Sequence, residues 1–316
     1  MKLIVTIPAF NEAATIAGVI REVPRSIPGV DRVEVLVMDD GSTDGTVPVA
    51  RDAGADHVVS HPQNKGLATT FKRALEEAVA RGADVIVNTD ADNHYDQSRI
   101  PDLIRPILDR KADIVIGGRK VSELDHMPWR NKYGNRLGSY ITSKLAGLSS
   151  VMDVSTGFRA YTRDAALRIN VFSGHTYTHT TLISAADQRL TIVEVPIRAR
   201  TVTRKSRLIP NVGHFVFHAG TNILRNIILF KPLRFFGFVG SVIAGVGVLL
   251  ILRFLYLYWF VDAGRGHLQS LVIAAVLIIV GFQVGILGLI ASAIGWLRKL
   301  NEEQLYRLKR IQYPKD

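Results

Sequence analysis

Ala83-Asp84-Val85-Ile86-Val87-Asn88-Thr89-Asp90-Ala91-Asp92 is the stretch whose reading decides the fold. A short apolar run rich in β-branched residues has the pattern of a parallel strand buried on both faces. Two carboxylates stand at its carboxyl end, where open α/β sheets place their ligands. Alternate residues of an extended segment face the same way, so Asp90 and Asp92 can converge on one point. Close like charges are unfavourable unless a cation or hydrogen-bond donors compensate them. A divalent metal holding a diphosphate would do so. A solvated strand-to-loop turn, where Asp is common, is the plainer alternative.

The residues before and after this stretch repeat one rhythm. Leu3 to Ile7 reads as a strand, and Ile16, Val19, Ile20 and Val23 mark one face of a helix. Val33 to Met38 is a second strand, followed by Asp39-Asp40-Gly41-Ser42-Thr43-Asp44-Gly45 and a short strand around His57 to Ser60. Leu67, Phe71, Ala74, Leu75, Ala78 and Val79 stripe the helix that leads into the Val85 strand. Ile104, Ile107 and Leu108 fit another helix, and Ile114 to Gly117 another strand. This alternation predicts an α/β domain with a doubly wound, mostly parallel sheet.

Polar chemistry gathers at the carboxyl ends of these strands. Pro8-Ala9-Phe10-Asn11-Glu12 follows the first, Asp39-Asp40-Gly41-Ser42 the second, and Asp90-Ala91-Asp92-Asn93-His94 the later one. Such residues can bind ribose hydroxyls, a base edge and a metal. Each loop also has an ordinary reading, since Asn11 or Thr15 can cap a helix and Asp39 to Gly45 can be a turn. Neither G-x-x-x-x-G-K-S/T nor G-x-G-x-x-G occurs, which weakens kinase and dehydrogenase readings.

Hydrophobicity is concentrated near the end of the chain. The 316 residues are 47% hydrophobic, and the excess lies in two runs. Phe235 to Phe260 is apolar apart from Arg253, and Leu268 to Leu297 is apolar apart from Gln269, Gln283 and a few small hydroxyl residues. A membrane crossing takes about 20 helical residues, so each run is long enough. A pair of buried core helices is the alternative, and length and Gly/Ala richness argue against it. Lys231 and Arg234 precede the first run; Arg298, Lys299, Arg307, Lys309 and Arg310 follow the second. The positive-inside rule therefore predicts a hairpin with both termini cytoplasmic. Arg253 is expected to snorkel toward the far interface or tilt its helix. Met1-Lys2 leads into a short apolar run ended by Pro8, which does not read as a signal peptide. The absence of cysteine excludes disulfides and thiolate zinc sites. A net charge of +11 points to anionic partners. The hairpin favours lipid phosphate over nucleic acid, for which no aromatic or helix-turn-helix signature is present.

Several segments together carry a family resemblance. They are Ile7-Pro8-Ala9-Phe10-Asn11-Glu12, Val37-Met38-Asp39-Asp40-Gly41-Ser42-Thr43-Asp44-Gly45-Thr46, Asn64-Lys65-Gly66 and Asp90-Ala91-Asp92. Gly117-Gly118-Arg119, Asp153-Val154-Ser155-Thr156-Gly157-Phe158-Arg159 and Ile192-Val193-Glu194-Val195-Pro196-Ile197 continue the series. This set resembles the inverting family 2 glycosyltransferases with a GT-A fold. With the hairpin, it looks like their polyprenyl-phosphate branch, of which dolichyl-phosphate mannose synthase is the familiar type. The resemblance implies metal-dependent transfer of a sugar from a UDP- or GDP-linked donor to dolichyl or undecaprenyl phosphate.

At the matching positions the resemblance implies roles. Pro8, Ala9, Phe10 and Glu12 would line the nucleotide site with Asp40, Asp90 and Ala91. Asp92 would ligate Mg²⁺ or Mn²⁺; His94, where relatives often have glutamine, is a second candidate, although histidine suits Mg²⁺ less well. Arg119 would contact the acceptor phosphate, aided by a cation among Arg130, Lys132 and Arg136. Their plainer reading is a membrane-facing basic patch. Arg204, Lys205 and Arg207 match a basic loop closing over both phosphates. Thr180 stands where relatives commonly have an acidic residue.

The expected organisation is a GT-A domain over 1–208, interfacial amphipathic helices over 209–234, a transmembrane hairpin over 235–297 with spans about 235–260 and 268–297, and a cytoplasmic tail over 298–316 that could support a homo-oligomer. A non-catalytic membrane scaffold built on a GT-A domain, or a different acceptor, is the competing reading. A processive polysaccharide synthase fits less well, because two spans form no obvious export channel and no Q-x-x-R-W-like motif occurs.

Overall fold

The computed structural model describes residues 1–119, 138–144, 147–148, 152–171, 177–197, 200, 228, 231–262 and 268–314. The chain divides into two compact units, Met1–Val216 with Glu302–Asp316, and Phe217–Asn301.

The first unit alternates strand and helix in the expected order. It runs β1 (Lys2–Ala9), α1 (Ile16–Glu22), β2 (Arg32–Asp39), α2 (Thr46–Asp52), β3 (His57–Ser60), α3 (Leu67–Ala80) and β4 (Val85–Asn88). A single 3-10 turn, Gln97–Arg99, leads into α4 (Ile100–Leu108), and β5 (Ile114–Arg119) follows. Later come β6 (Arg159–Thr162), α5 (Arg163–Arg168), α6 (Tyr177–Asp187) and β7 (Ile192–Ile197).

The seven strands lie in the order β3-β2-β1-β4-β6-β5-β7. Only β6 runs antiparallel to its neighbours β4 and β5. The chain winds from β1 outward to β2 and β3, then returns to place β4 on the other side of β1. The order therefore reverses between β1 and β4, and the crevice beyond their carboxyl ends is the topological switch point where such sheets bind ligands.

Alternation along each strand distributes the core to both faces. Leu3, Val5 and Ile7 of β1 pack with Ile16, Val19 and Ile20 of α1 and with Leu103 and Ile104 of α4. Ile4 and Ile86 face the other way, toward Phe71, Leu75 and Val79 of α3. Burying each such side chain contributes about 1.5–3 kcal/mol, so covering both faces is what holds the strands in one register. Gly41 sits at φ 73°, and a Cβ there would lie 2.8 Å from the Gln63 carbonyl carbon, so that turn needs glycine.

The second unit contains α7 (Pro232–Leu257), a π-helical turn (Tyr258–Asp262) and most of α8 (Leu268–Gln312). The most apolar windows of the two helices reach mean hydropathies of 2.5 and 2.7 with only 11% and 17% of each buried. Core helices of a soluble protein would be mostly buried, so these two suit a lipid surroundings and a transmembrane hairpin. Glycines let their backbones meet: a Cβ on Gly240 would be 2.5 Å from the Gly281 carbonyl oxygen, and one on Gly247 2.8 Å from that of Ala274.

From Glu302 onward the chain belongs to the first unit. Tyr306 is buried there and its hydroxyl bonds the Asp164 carboxylate. Lys309 donates to the Leu167 carbonyl at 3.4 Å and Asn170 Oδ1 at 3.2 Å, while Arg163 Nη2 donates to the Tyr313 carbonyl at 2.9 Å. The interfacial helices expected over 209–234 fall almost wholly outside the described residues.

Candidate active site

Two loops at the ends of β1 and β2 are tied to one another. The Asn11 amide donates to Ser42 Oγ at 2.9 Å and the Thr43 amide to Asn11 Oδ1 at 2.9 Å. The Glu12 amide donates to Thr46 Oγ1 at 2.9 Å, and Ala13 to Asp44 Oδ2 at 3.2 Å. Asn11 adopts φ 55°, a left-handed conformation that Asn tolerates better than most residues. This lacing closes one wall of the crevice, with Pro8 and Ala9 buried beneath it and the Phe10 ring 36% exposed above. Asp40 is buried and accepts from the Lys65 and Gly66 amides at 2.8 and 3.0 Å, which joins the β2 loop to the start of α3.

The opposite wall begins at Asn88, which is buried and donates to the Gly157 carbonyl at 2.9 Å and to the Tyr177 hydroxyl at 3.2 Å. Asp90 follows, with Ala91 buried behind it. A Cβ on Gly157 would stand 2.6 and 2.8 Å from the two Asp90 carboxylate oxygens, so only glycine leaves room for the acid. The Tyr95 hydroxyl donates to Asp90 and accepts from the Gly157 amide at 3.0 Å and from Thr156 Oγ1 at 3.2 Å. Tyr95 thus joins the β4 loop to the segment that enters β6. Arg159, completely buried, locks that segment by donating to the Thr156, Val154 and Thr178 carbonyls at 3.0, 2.7 and 2.9 Å.

Burial, and next the charge of Asp92, push the Asp90 carboxyl up to about 7. A divalent cation beside these two acids would relieve their repulsion, and hard carboxylate oxygens are the donors that Mg²⁺ and Mn²⁺ take. Among the described residues no group of three or more His, Cys, Asp or Glu side chains could hold a metal. The Asp90–Asp92 pair fits an ion that takes its other ligands from substrate and water. Asp92 Oδ1 also accepts the His94 amide at 3.1 Å.

Arg119 closes the site from the end of β5. Its Nε and Nη2 donate to Asp153 at 2.7 and 3.2 Å, and Nη2 also to Ser155 Oγ at 2.6 Å. Its Nη1 lies 3.5 Å from His94 Nε2. A guanidinium only donates, so a hydrogen bond here takes the ring nitrogen as acceptor. Burial, then the Arg119 charge, accordingly push His94 below its ordinary value. Arg119 also offsets part of the shift on Asp90, which places the cation within electrostatic reach of that acid.

The family described as glycosyl transferase family 2 matches residues 4–169, which contain both walls of this crevice. The chain belongs to glycosyl transferase family 2. Among relatives of this glycosyltransferase, the dolichyl-phosphate hexose transferase of Haloferax volcanii is 33% identical over 67% of this chain and 88% of its own. The undecaprenyl-phosphate mannosyltransferase of Micrococcus luteus is 30% identical over 62% of this chain and 83% of its own. The fold is similar to that of glucosyl-3-phosphoglycerate synthase from Mycobacterium tuberculosis, solved with Mn²⁺, uridine diphosphate and glucosyl-3-phosphoglycerate. That match has a TM-score of 0.53 and 23% identity, over 72% of this chain and 78% of that one. The sheet of this enzyme is thus of the GT-A kind.

The structure of this glycosyltransferase brings Pro8, Ala9, Phe10, Glu12, Asp40, Asp90, Ala91, Asp92, His94 and Arg119 to the carboxyl ends of β1, β2, β4 and β5. Arg130, Lys132, Arg136, Arg204, Lys205 and Arg207 lie outside the described residues. Tyr95, Asn88 and Asp153 were not read from the sequence as site residues. Tyr95 was within reach of such a reading, being an aromatic beside the acidic triplet. Asn88 and Asp153 act through partners far along the chain, which no local pattern announces.

Proposed function

We propose that this enzyme transfers a sugar from a UDP- or GDP-linked donor to a polyprenyl phosphate, with inversion at the anomeric carbon and with Mg²⁺ or Mn²⁺. The observation that carries the reading is the Asp90–Asp92 pair at the β1–β4 switch point, with Arg119 beside it. Relatives named for dolichyl-phosphate and undecaprenyl-phosphate substrates support the acceptor class. Two helices long and apolar enough to cross a membrane support a lipid-linked acceptor. The structural neighbour solved with Mn²⁺ and uridine diphosphate supports the metal and the donor class.

In this reading Pro8, Ala9, Phe10, Glu12, Asp40, Asp90 and Ala91 line the nucleotide site and Asp92 holds the metal. His94 serves Arg119 in the described arrangement and joins the metal only by giving up that contact. Arg119 aligns the acceptor phosphate, aided by Arg130, Lys132 or Arg136 and by Arg204, Lys205 and Arg207. Residues 1–208 form the catalytic domain, 209–234 lie at the interface, 235–297 cross the membrane and 298–316 follow it, with the catalytic domain on the cytoplasmic side.

The acceptor phosphate is anionic at neutral pH, so a strong general base is unnecessary. The metal, when bound, supplies charge stabilisation to the departing nucleoside diphosphate. The chain supplies position: Tyr95 and Gly157 orient Asp90, and Asp153 aims Arg119 so that the nucleophile is presented in line.

Detergent-purified protein incubated with radiolabelled UDP- and GDP-sugars and a polyprenyl phosphate should yield a labelled lipid from one donor, and EDTA should abolish it. Asp92→Ala should remove turnover and leave the fold intact. Wild-type turnover in that variant would sink the metal assignment; no lipid product from any donor would favour the scaffold reading.

A further inference from the structure

Asp92 lies in the turn that joins β4 to the 3-10 turn at Gln97–Arg99. Asn93 adopts φ 59°, and Asn93 and His94 are only half-buried. Within the turn, the His94 amide donates to Asp92 and Asp96 Oδ1 accepts from the Ser98 amide at 3.1 Å. Buried Tyr95 anchors one side of the turn through Thr156 and Gly157, and its outer side, from Asn93 to Asp96, is fastened by a residue from a more distant part of the chain.

Arg200, just beyond the end of β7, reaches this turn three times and α1 through Glu22. Its amide donates to the His94 carbonyl at 2.8 Å. Its Nη1 donates to Asn93 Oδ1 at 2.8 Å and to both carboxylate oxygens of Glu22, at 2.9 and 2.7 Å. Its Nη2 approaches Asp96 Oδ1 at 3.4 Å. Glu22 is the last residue of α1, so one side chain joins α1, the β4 loop and the segment after β7. Arg200 and Glu22 are about a third exposed, at 37% and 38%, where a lone ion pair contributes little. The convergence of one planar fork on three side chains, with the amide of the same residue on the turn, fixes geometry rather than adding Coulomb energy.

We propose that Arg200 is a positioning residue for Asp92, a latch that holds the acidic turn at the distance from α1 that metal and diphosphate binding require. The inference rests on the assignment of Asp92 as metal ligand given above. Arg204, Lys205 and Arg207 follow it closely in sequence. Loss of a partner behind a metal ligand typically costs 10–100-fold in metal affinity.

The test uses the full chain in detergent with Arg200→Gln, Arg200→Lys and Glu22→Gln. Amide hydrogen exchange at 93–96 is measured without metal, and Mn²⁺ is titrated by electron paramagnetic resonance with saturating UDP and, in parallel, GDP. Arg200→Gln should speed exchange at 93–96 and raise half-saturating Mn²⁺ by about tenfold or more. Turnover should return toward wild type when Mn²⁺ is raised, Arg200→Lys should fall between the two, and Glu22→Gln should reproduce part of the effect. Unchanged exchange and unchanged Mn²⁺ affinity in Arg200→Gln would overturn the latch. So would a loss of turnover that is equal at every Mn²⁺ concentration. Asp92→Ala separates the two ideas: if it keeps Mn²⁺ affinity, the metal assignment fails, while exchange at 93–96 in Arg200→Gln still decides whether Arg200 holds the turn.

Discussion

Arg119 and Asp153 form a two-bond fork, Nε to Oδ2 at 2.7 Å and Nη2 to Oδ1 at 3.2 Å, with side chains only 10% and 4% exposed. Burial works to raise the Asp153 carboxyl, but the Arg119 hydrogen bond and charge outweigh it and hold Asp153 below the usual carboxylate range. Glu194 of β7 in turn accepts the Asp153 amide at 2.9 Å. The cation at the end of β5 is therefore aimed by the segment that leads into β6, itself tied to β7, rather than by its own rotamer preference.

Asp153→Asn keeps the shape of this fork and removes its charge. Leaving a buried cation without its partner costs about 3–5 kcal/mol. The variant should unfold at lower urea concentration than wild type, and transfer should fall because Arg119 is no longer held. Unchanged stability together with unchanged turnover would contradict the positioning role of Asp153.

Gly157→Ala should act through Asp90. The new Cβ would stand 2.6 Å from the nearer carboxylate oxygen, so the acid must move. Misplacing a reacting or ligating group by about 1 Å can cost on the order of 100-fold in rate. Steady-state assays should show that loss, and Gly285→Ala, whose site is open, should behave as wild type.

His179 gives the domain a pH dependence whose sign follows from its environment. Burial, and then the Arg159 charge, push it down to about 4, and the Thr142 hydroxyl lies 3.1 Å from its Nδ1. In the unfolded chain a histidine titrates near 6.5. A lowered folded value means that the neutral ring contributes stability above about 6.5 and loses it as pH falls toward 4. The total is roughly 3 kcal/mol at 1.36 kcal/mol per unit. Chemical denaturation between pH 4 and 7 should show a smaller fall for His179→Gln than for wild type. Parallel curves would remove His179 as the cause.

Gly281→Ala tests the hairpin independently of chemistry. The added Cβ would lie 2.6 Å from the Gly240 carbonyl oxygen and 2.7 Å from the Ala244 amide nitrogen. Overpacking of this kind costs about 1–3 kcal/mol. Thermal stability of the hairpin in detergent should drop, while Mn²⁺ and nucleotide binding stay as in wild type.

Much of the fold was legible because it is written locally. The Leu3–Ile7 and Val33–Met38 runs, and the stripe from Leu67 to Val79, have periodicities that only strands buried on two faces and a helix covering them satisfy. β6 escaped that reading. Arg159-Ala160-Tyr161-Thr162 is short and begins with a charge, and Asn88, the register partner of Arg159, lies 71 positions earlier in the chain. The end of α8 escaped for a similar reason: Tyr306 and Lys309 look like a solvated helix until Asp164, Leu167 and Asn170 are placed against them.

The sequence by itself determined the order of strands and helices, the acidic strand ends, the two long apolar runs and the family. Each of these depends on neighbours within a few residues or on a motif that survives as a string. Tertiary structure alone decided that Asp90 is pressed against Gly157 and held by Tyr95, that Arg119 is gripped by Asp153, and that Arg200 fastens the Asp92 turn to α1. Tyr95 apart, those contacts join residues tens to hundreds of positions from one another. Hydrogen bonds and close packing are satisfied in space, and distance along the chain carries no record of them.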